Sequence, residues 1–195
     1  TTNWSAKATM ALPEGYGYDV INNEVLLERV SVKDGHLVLP DGMRYGVLAV
    51  DLDDGQVSPT VLRKIDALRQ AGAAVVFGTR KPVQAAGAAA ATTEVRPLAE
   101  KLWDGSPTLE RALKAQGLAP DFEGPFEYTH RRDGGTDIYF VAGDGKAECT
   151  FRVKGRQPEV WDAVSGAIRA VPFETALDGR TRLTLDLPEH GSAFV

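Results

Sequence analysis

Three acids crowd the end of one apolar run. The stretch "YGVLAVDLDDGQ" carries Asp51, Asp53 and Asp54 near its end, and a second apolar run, "AAVVFG", is followed directly by Thr79. Carboxylates gathered at strand ends are the residue type that holds magnesium. A second group lies further along. Tyr128, His130 and Arg132 alternate in "YTHRRDG", so a strand there puts all three on one face. An aromatic and basic face suits contact with a sugar; it suits plain cross-strand pairing as well, with Arg131 or Arg132 against Asp137. Trp161, in "PEVWDAVSG", shares a strand face with Glu159 and Ala163. An exposed tryptophan stacks on a pyranose ring, whereas a core place is the commoner one, and neither face of this segment is cleanly apolar.

Other chemistries are thinly supplied. His36 and His190 stand in turn contexts, and no pair of histidines has metal-ligand spacing, so no zinc site is expected. There is no Gly-x-Ser-x-Gly elbow. Cys149 is the only cysteine; a disulfide within the chain is impossible, and its place in "KAECTFRV" reads as a small buried hydrophobe. Loop acids such as Asp104, Asp121, Glu123 and Asp133 are too numerous to single out a glycosidase pair.

The first group resembles the opening motifs of the haloacid-dehalogenase-type phosphatases. In those enzymes an Asp-x-Asp at a strand end attacks phosphate and holds magnesium, and a Thr on the next strand binds the phosphoryl group, roles that would fall to Asp51, Asp53 and Thr79. The remaining parts do not follow. Gln56, not the usual Ser or Thr, directly follows Gly55, and Lys81, Lys101 and Lys114 lie in loop or helix patterns. The late acid, Asp144, falls in "VAGDGKA", which reads as a hairpin turn of an all-β half. The plainer reading is a turn made by Asp and Gly, with acids near the positive end of the next helix.

The elements that must position these groups change character along the chain. "DVINNEVLLERV" has near-helical spacing and "HLVLP" is a short strand. "YGVLAVDL" is apolar throughout, as in a strand buried on both faces. "SPTVLRKIDALRQAG" reads as an amphipathic helix, with Ser58 as N-cap, Pro59 at the first position and Gly72 as the left-handed C-cap residue. Val61, Leu62, Ile65 and Leu68 form its apolar stripe. "EVRPLAEKLW" and "TLERALKAQG" are short helix candidates, with Pro97 near the start of the first. The Ala-rich stretch 84–92 fits a helix or a loop. After "LAPDFEGPF" the period becomes two, in short strands punctuated by Asp-Gly and Gly-Gly turns, the mark of an antiparallel β-sandwich. The expected division is an irregular leader over 1–14, an α/β domain over 15–117 and a jelly-roll-like β-sandwich over 118–195.

Several long stretches together resemble the C-terminal part of bacterial α-L-rhamnosidases of glycoside hydrolase family 106. They include "SPTVLRKIDALRQAGAAVVFGTRKPVQAAG", "YTHRRDGGTDIYFVAG", "CTFRVKGRQPEVWDAVSGAIRAV" and "RTRLTLDLPEHGSAFV", and the likeness covers roughly residues 14–195. It implies an amidotransferase- or flavodoxin-like parallel α/β domain followed by the sandwich. It also implies an ancillary role, because in that family the catalytic carboxylates and the calcium site lie on a preceding (α/β) barrel. A chain of 195 residues cannot hold a barrel of about 250 residues as well as these two domains. No catalytic residue therefore carries over by position, and no cofactor or metal is expected. The family is often secreted or periplasmic, and no signal peptide is evident here.

The implied partners are that barrel and a plant or bacterial polysaccharide, with Tyr128, His130, Arg132 and Trp161 as contact candidates. A stand-alone carbohydrate-binding module and a small hydrolase using Asp51 and Asp53 are the alternatives. The net charge of −5, without a basic cluster, argues against nucleic acid. No apolar run reaches the roughly 20 residues that span a bilayer.

Overall fold

The computed structural model describes residues 10–52, 55–86 and 92–195. They form two compact units. The first comprises the described residues up to Pro13 together with Asp19–Leu118; the second comprises Glu14–Tyr18 and Ala119–Val195.

In the first unit, helix α1 (Asn23–Glu28) is capped by the Asn22 side chain, which accepts from the Val25 amide. Strands β1 (Ser31–Lys33), β2 (His36–Val38) and β3 (Arg44–Tyr45) make a small antiparallel sheet. Strand β4 (Val47–Val50) then pairs in parallel with β5 (Ala74–Phe77), and helix α2 (Pro59–Gln70) forms the crossover. Among the described residues, parallel pairing is limited to these two strands and the single bridge Gln56–Gln84.

Local signals mark α2 at both ends. Ser58 accepts from the Thr60 amide. After Gly72 enters the left-handed region at φ +98°, its amide donates to Arg69 and the Ala73 amide to Leu68, the paired bonds of a Schellman stop. The stripe Val61, Leu62, Ile65 and Leu68 is buried as its spacing requires. Burial of such a side chain stabilises by about 1.5–3 kcal/mol against about 1 kcal/mol for a cap, so packing decides the helix and the caps set its limits. Helix α3 (Thr92–Trp103) starts earlier than "EVRPLAEKLW" suggests, so Pro97 falls inside it. Its last residue, Trp103, packs on Phe77 with ring centroids 4.2 Å apart and donates its indole N–H to the Gly78 carbonyl. Helix α4 (Leu109–Ala115), capped by Thr108, completes the unit.

The second unit is one seven-stranded antiparallel sheet: β6 (Phe122–Glu123), β7 (Glu127–Asp133), β8 (Thr136–Lys154), β9 (Glu159–Asp162), β10 (Ile168–Ala170), β11 (Glu174–Thr175) and β12 (Arg180–Phe194). Segments that read as separate short strands are continuous. "TDIYFVAG" and "AECTFRVKG" are one 19-residue strand, and "RTRLTLDLP" and "GSAFV" belong to one of 15 residues. The Gly-Asp-Gly at 143–145 is therefore a corner within β8 rather than a hairpin turn.

The corner folds the sheet onto itself. Tyr139 and Phe151 are twelve residues apart on β8, which a straight strand would separate by about 40 Å. Their rings instead meet edge to face with centroids 4.9 Å apart. The first half of β8 pairs with β7 and the second half with β6, so one ladder serves both layers of a sandwich-like core. Opposite the corner, β12 slips register between Leu187 and Gly191, and the His190 amide freed there donates to the Asp144 carboxylate. Phe122, Phe126, Val141, Phe151, Leu183 and Leu185 are among the buried residues between the layers. Cys149 is among them too, 0% exposed.

Candidate functional site

Of the phosphatase-like group, Asp51 and Thr79 lie within the described residues. Asp51 lies at the end of β4 with its carboxylate against Gly78, where an added Cβ would collide with Asp51 Oδ1. Thr79 is one residue further along. Asp53 lies outside the described residues, and Asp144 belongs to the second unit, holding the His190 amide.

The polar interior of the second unit centres on His130. Its Nδ1 lies 2.9 Å from Asp121 Oδ2 and its Nε2 lies 3.1 Å from Asp137 Oδ1. A ring with a carboxylate on each nitrogen donates from both only as the imidazolium. Burial pulls the His130 pKa down, but Asp121 and Asp137 outweigh it and raise it above the ordinary histidine value. Asp121 is 7% exposed. Burial pushes its carboxyl up, yet the His130 hydrogen bond, the Arg152 guanidinium at 3.0 Å and the Tyr139 hydroxyl at 3.1 Å bring it below the usual carboxylate range. Burial, then the Asp121 charge, pushes the Tyr139 hydroxyl well above its usual value. Asp137 has one further ionic approach, Arg156 Nε at 3.8 Å from its Oδ2. An imidazolium engaged on both sides has no lone pair for general-base work. The network is a means of holding two carboxylates in place.

Asp137 and Tyr139 are also walls of a cleft of about 640 Å³. Ile138, Phe194 and Trp161 give it an apolar side, and Asp137, Arg156 and Glu159 stand among the polar lining residues. Trp161 on β9 pairs with Phe194 on β12. It is 46% exposed, while its neighbour Val160 is 3% exposed on the opposite face. The Trp161 indole N–H donates to Glu159 Oε2 at 3.1 Å. The volume falls within the range common to small-molecule pockets.

The chain matches the family described as alpha-L-rhamnosidase, glycoside hydrolase family 106, over residues 1–175. It belongs to the family 106 α-L-rhamnosidases. It is 31% identical to a putative beta-glucuronidase of Formosa agariphila, an alignment that covers 98% of this chain and 18% of that protein. It also superimposes on the rhamnosidase of Novosphingobium sp. PP1Y with a TM-score of 0.81 and 29% identity, covering 94% of this chain and 20% of the other. The chain thus spans about a fifth of the length of the relatives it matches.

Within this family 106 chain, the four contact candidates separate. Tyr128 and His130 share a face of β7, and that face points inward: Tyr128 packs on Phe122 with centroids 4.9 Å apart, and His130 is held in the ion network. Arg132 is exposed further along the strand. Trp161 lines the cleft instead of filling the core. Asp137 sits opposite Arg132 in register, but its ionic partners are His130 and Arg156.

In the sequence Glu159 stands out only as a face-mate of Trp161, Asp137 only as a pairing partner for an arginine, and Phe194 not at all. The Glu-x-Trp spacing on one strand face was the available signal for the first. Phe194 lies one strand away and carries no local mark.

Proposed function

We propose that this chain is a non-catalytic region of a rhamnosidase-type glycoside hydrolase, supporting the catalytic barrel of the whole enzyme and contacting carbohydrate through the cleft of the second unit. The observation that carries this reading is the cleft itself: an exposed Trp161 beside the carboxylates of Glu159 and Asp137, in a chain of a carbohydrate-active family. Aromatic faces take the C–H face of a pyranose, and carboxylates accept from its hydroxyls. The sequence division at 15–117 and 118–195 assigns this contact to the second domain. On the same reading the first is a reduced amidotransferase- or flavodoxin-like fold, supported by the parallel β4–α2–β5 crossover.

Two measurements test the proposal. The isolated chain should release no p-nitrophenol from p-nitrophenyl α-L-rhamnoside; turnover would overturn the non-catalytic role. In affinity electrophoresis on plant polysaccharides the chain should be retarded, and Trp161→Ala should abolish the retardation. Free migration of the parent chain on every polysaccharide would count against carbohydrate contact.

A further inference from the structure

We propose that the cleft selects a neutral pyranoside, stacked on Trp161, and that Glu159 is the positioning residue for the stacking ring. This inference rests on the carbohydrate reading above and specifies its ligand.

The platform comes first. Glu159 and Trp161 are two residues apart on β9, hence on the same face. The hydrogen bond from the indole N–H to Glu159 Oε2, 3.1 Å long, closes within that strand. An exposed tryptophan tied through its only polar atom has its ring plane fixed before a ligand arrives, so less side-chain freedom is lost on stacking. Val160, between them, is buried in the core and anchors the strand beneath the ring.

The charges come next. The side chains among the lining residues that carry charge near neutral pH are Asp137, Arg156 and Glu159. Arg156, 3.8 Å away, and the His130 imidazolium balance Asp137, which leaves Glu159 as the carboxylate with no ion-pair partner among the described residues. The opposite side of Asp137 is held by His130, which fixes the carboxylate in the wall. Ionised carboxylates are acceptors only, so they match sugar hydroxyls and oppose a ligand bearing a carboxylate or sulfate. Ile138 and Phe194 extend the apolar side beyond Trp161, which fits the C–H face of an uncharged ring.

The test is a 1H–15N NMR titration of the full 195-residue chain, following the backbone amides of β9 and β12 in every variant and the Trp161 indole N–H where that residue is present. The probes are methyl α-L-rhamnopyranoside, methyl β-D-glucopyranoside and methyl β-D-glucopyranosiduronate. The expected result is saturable binding of at least one neutral glycoside, at least about tenfold tighter than the uronide. Trp161→Ala should abolish it. Glu159→Ala should weaken it about tenfold, whereas Glu159→Gln, which keeps an acceptor, should restore most of the neutral affinity and narrow the gap to the uronide. Tighter binding of the uronide would overturn neutral selection and leave the carbohydrate reading standing. Neutral binding that survives Trp161→Ala or ignores Glu159→Ala would overturn the platform. No saturable shift with any probe would overturn both this inference and the carbohydrate contact beneath it.

Discussion

The imidazole of His130 lies flat on the phenol ring of Tyr139, with 4.0 Å between centroids and 4° between planes. Both rings send a hydrogen-bond donor to the same carboxylate, that of Asp121. A charge, its counter-charge and an aromatic face are thereby locked together beneath the wall of the cleft.

The pH dependence of stability follows from that arrangement. The folded pKa of His130 lies above its unfolded value of about 6.5. Its contribution is therefore fully present below about pH 6.5 and is lost as pH rises through the folded pKa. The folded pKa of Asp121 lies below its unfolded value of about 3.9, so its contribution is present above that pH and is lost as pH falls through the folded pKa. These two groups make the second unit most stable between about pH 4 and pH 6.5. Scanning calorimetry from acid to mildly alkaline pH should show this, and His130→Gln should remove the decline on the alkaline side. An unchanged alkaline decline in that variant would refute the assignment.

Removing the shared acid should hurt more than removing an outlying cation. Asp121→Asn takes from Arg152 its counter-charge and from His130 one of its two, a loss of about 3 kcal/mol. Arg156 is half exposed and 3.8 Å from Asp137, so Arg156→Ala should change stability by only about 0.5 kcal/mol. Urea unfolding midpoints of the two variants provide the comparison, and equal losses would contradict the network described.

The corner of β8 is open to a backbone test. Gly145 has φ +91°, and an added Cβ there would meet nothing within 4 Å. Gly145→Ala should therefore destabilise by about 1–2 kcal/mol through conformation alone, and Gly145→Asn, which tolerates that region better, by less. Equal effects of Ala and Asn would point to a cause other than the left-handed backbone.

Cys149 gives a native-state gauge. It is fully buried, and burial, with Glu148 nearby, pushes its thiol up to about 11. Iodoacetamide at neutral pH should label it only as fast as the second unit opens, and addition of urea should complete the reaction. Rapid labelling of the folded chain would show that the core is looser than its packing implies.

What the sequence revealed depended on how local each signal was. Ser58, Pro59 and Gly72 act on backbone groups within a few residues, and α2 begins and ends where they stand. Gly143, Asp144 and Gly145 misled because the same residues serve a hairpin and a bend in an unbroken strand; only the pairing of β12 across the corner separates the two. Alternation placed Tyr128 and His130 on one face correctly, yet could not say that the face is internal. A histidine turns inward only if acids meet it there, and Asp121 and Asp137 do so from other segments. Trp161 stayed ambiguous because β9 has four residues, too few for burial to show as a period.

The passage of Glu14–Tyr18 into the second unit bears on how that unit can be isolated. The Asp121 amide donates to the Gly15 carbonyl, directly beneath the carboxylate on which His130, Tyr139 and Arg152 converge. A recombinant piece opening at Ala119 would retain every cleft residue and still lose that acceptor. The second unit is thus discontinuous in sequence: a working excision would graft the short upstream strap back on, through a linker replacing residues 19–118.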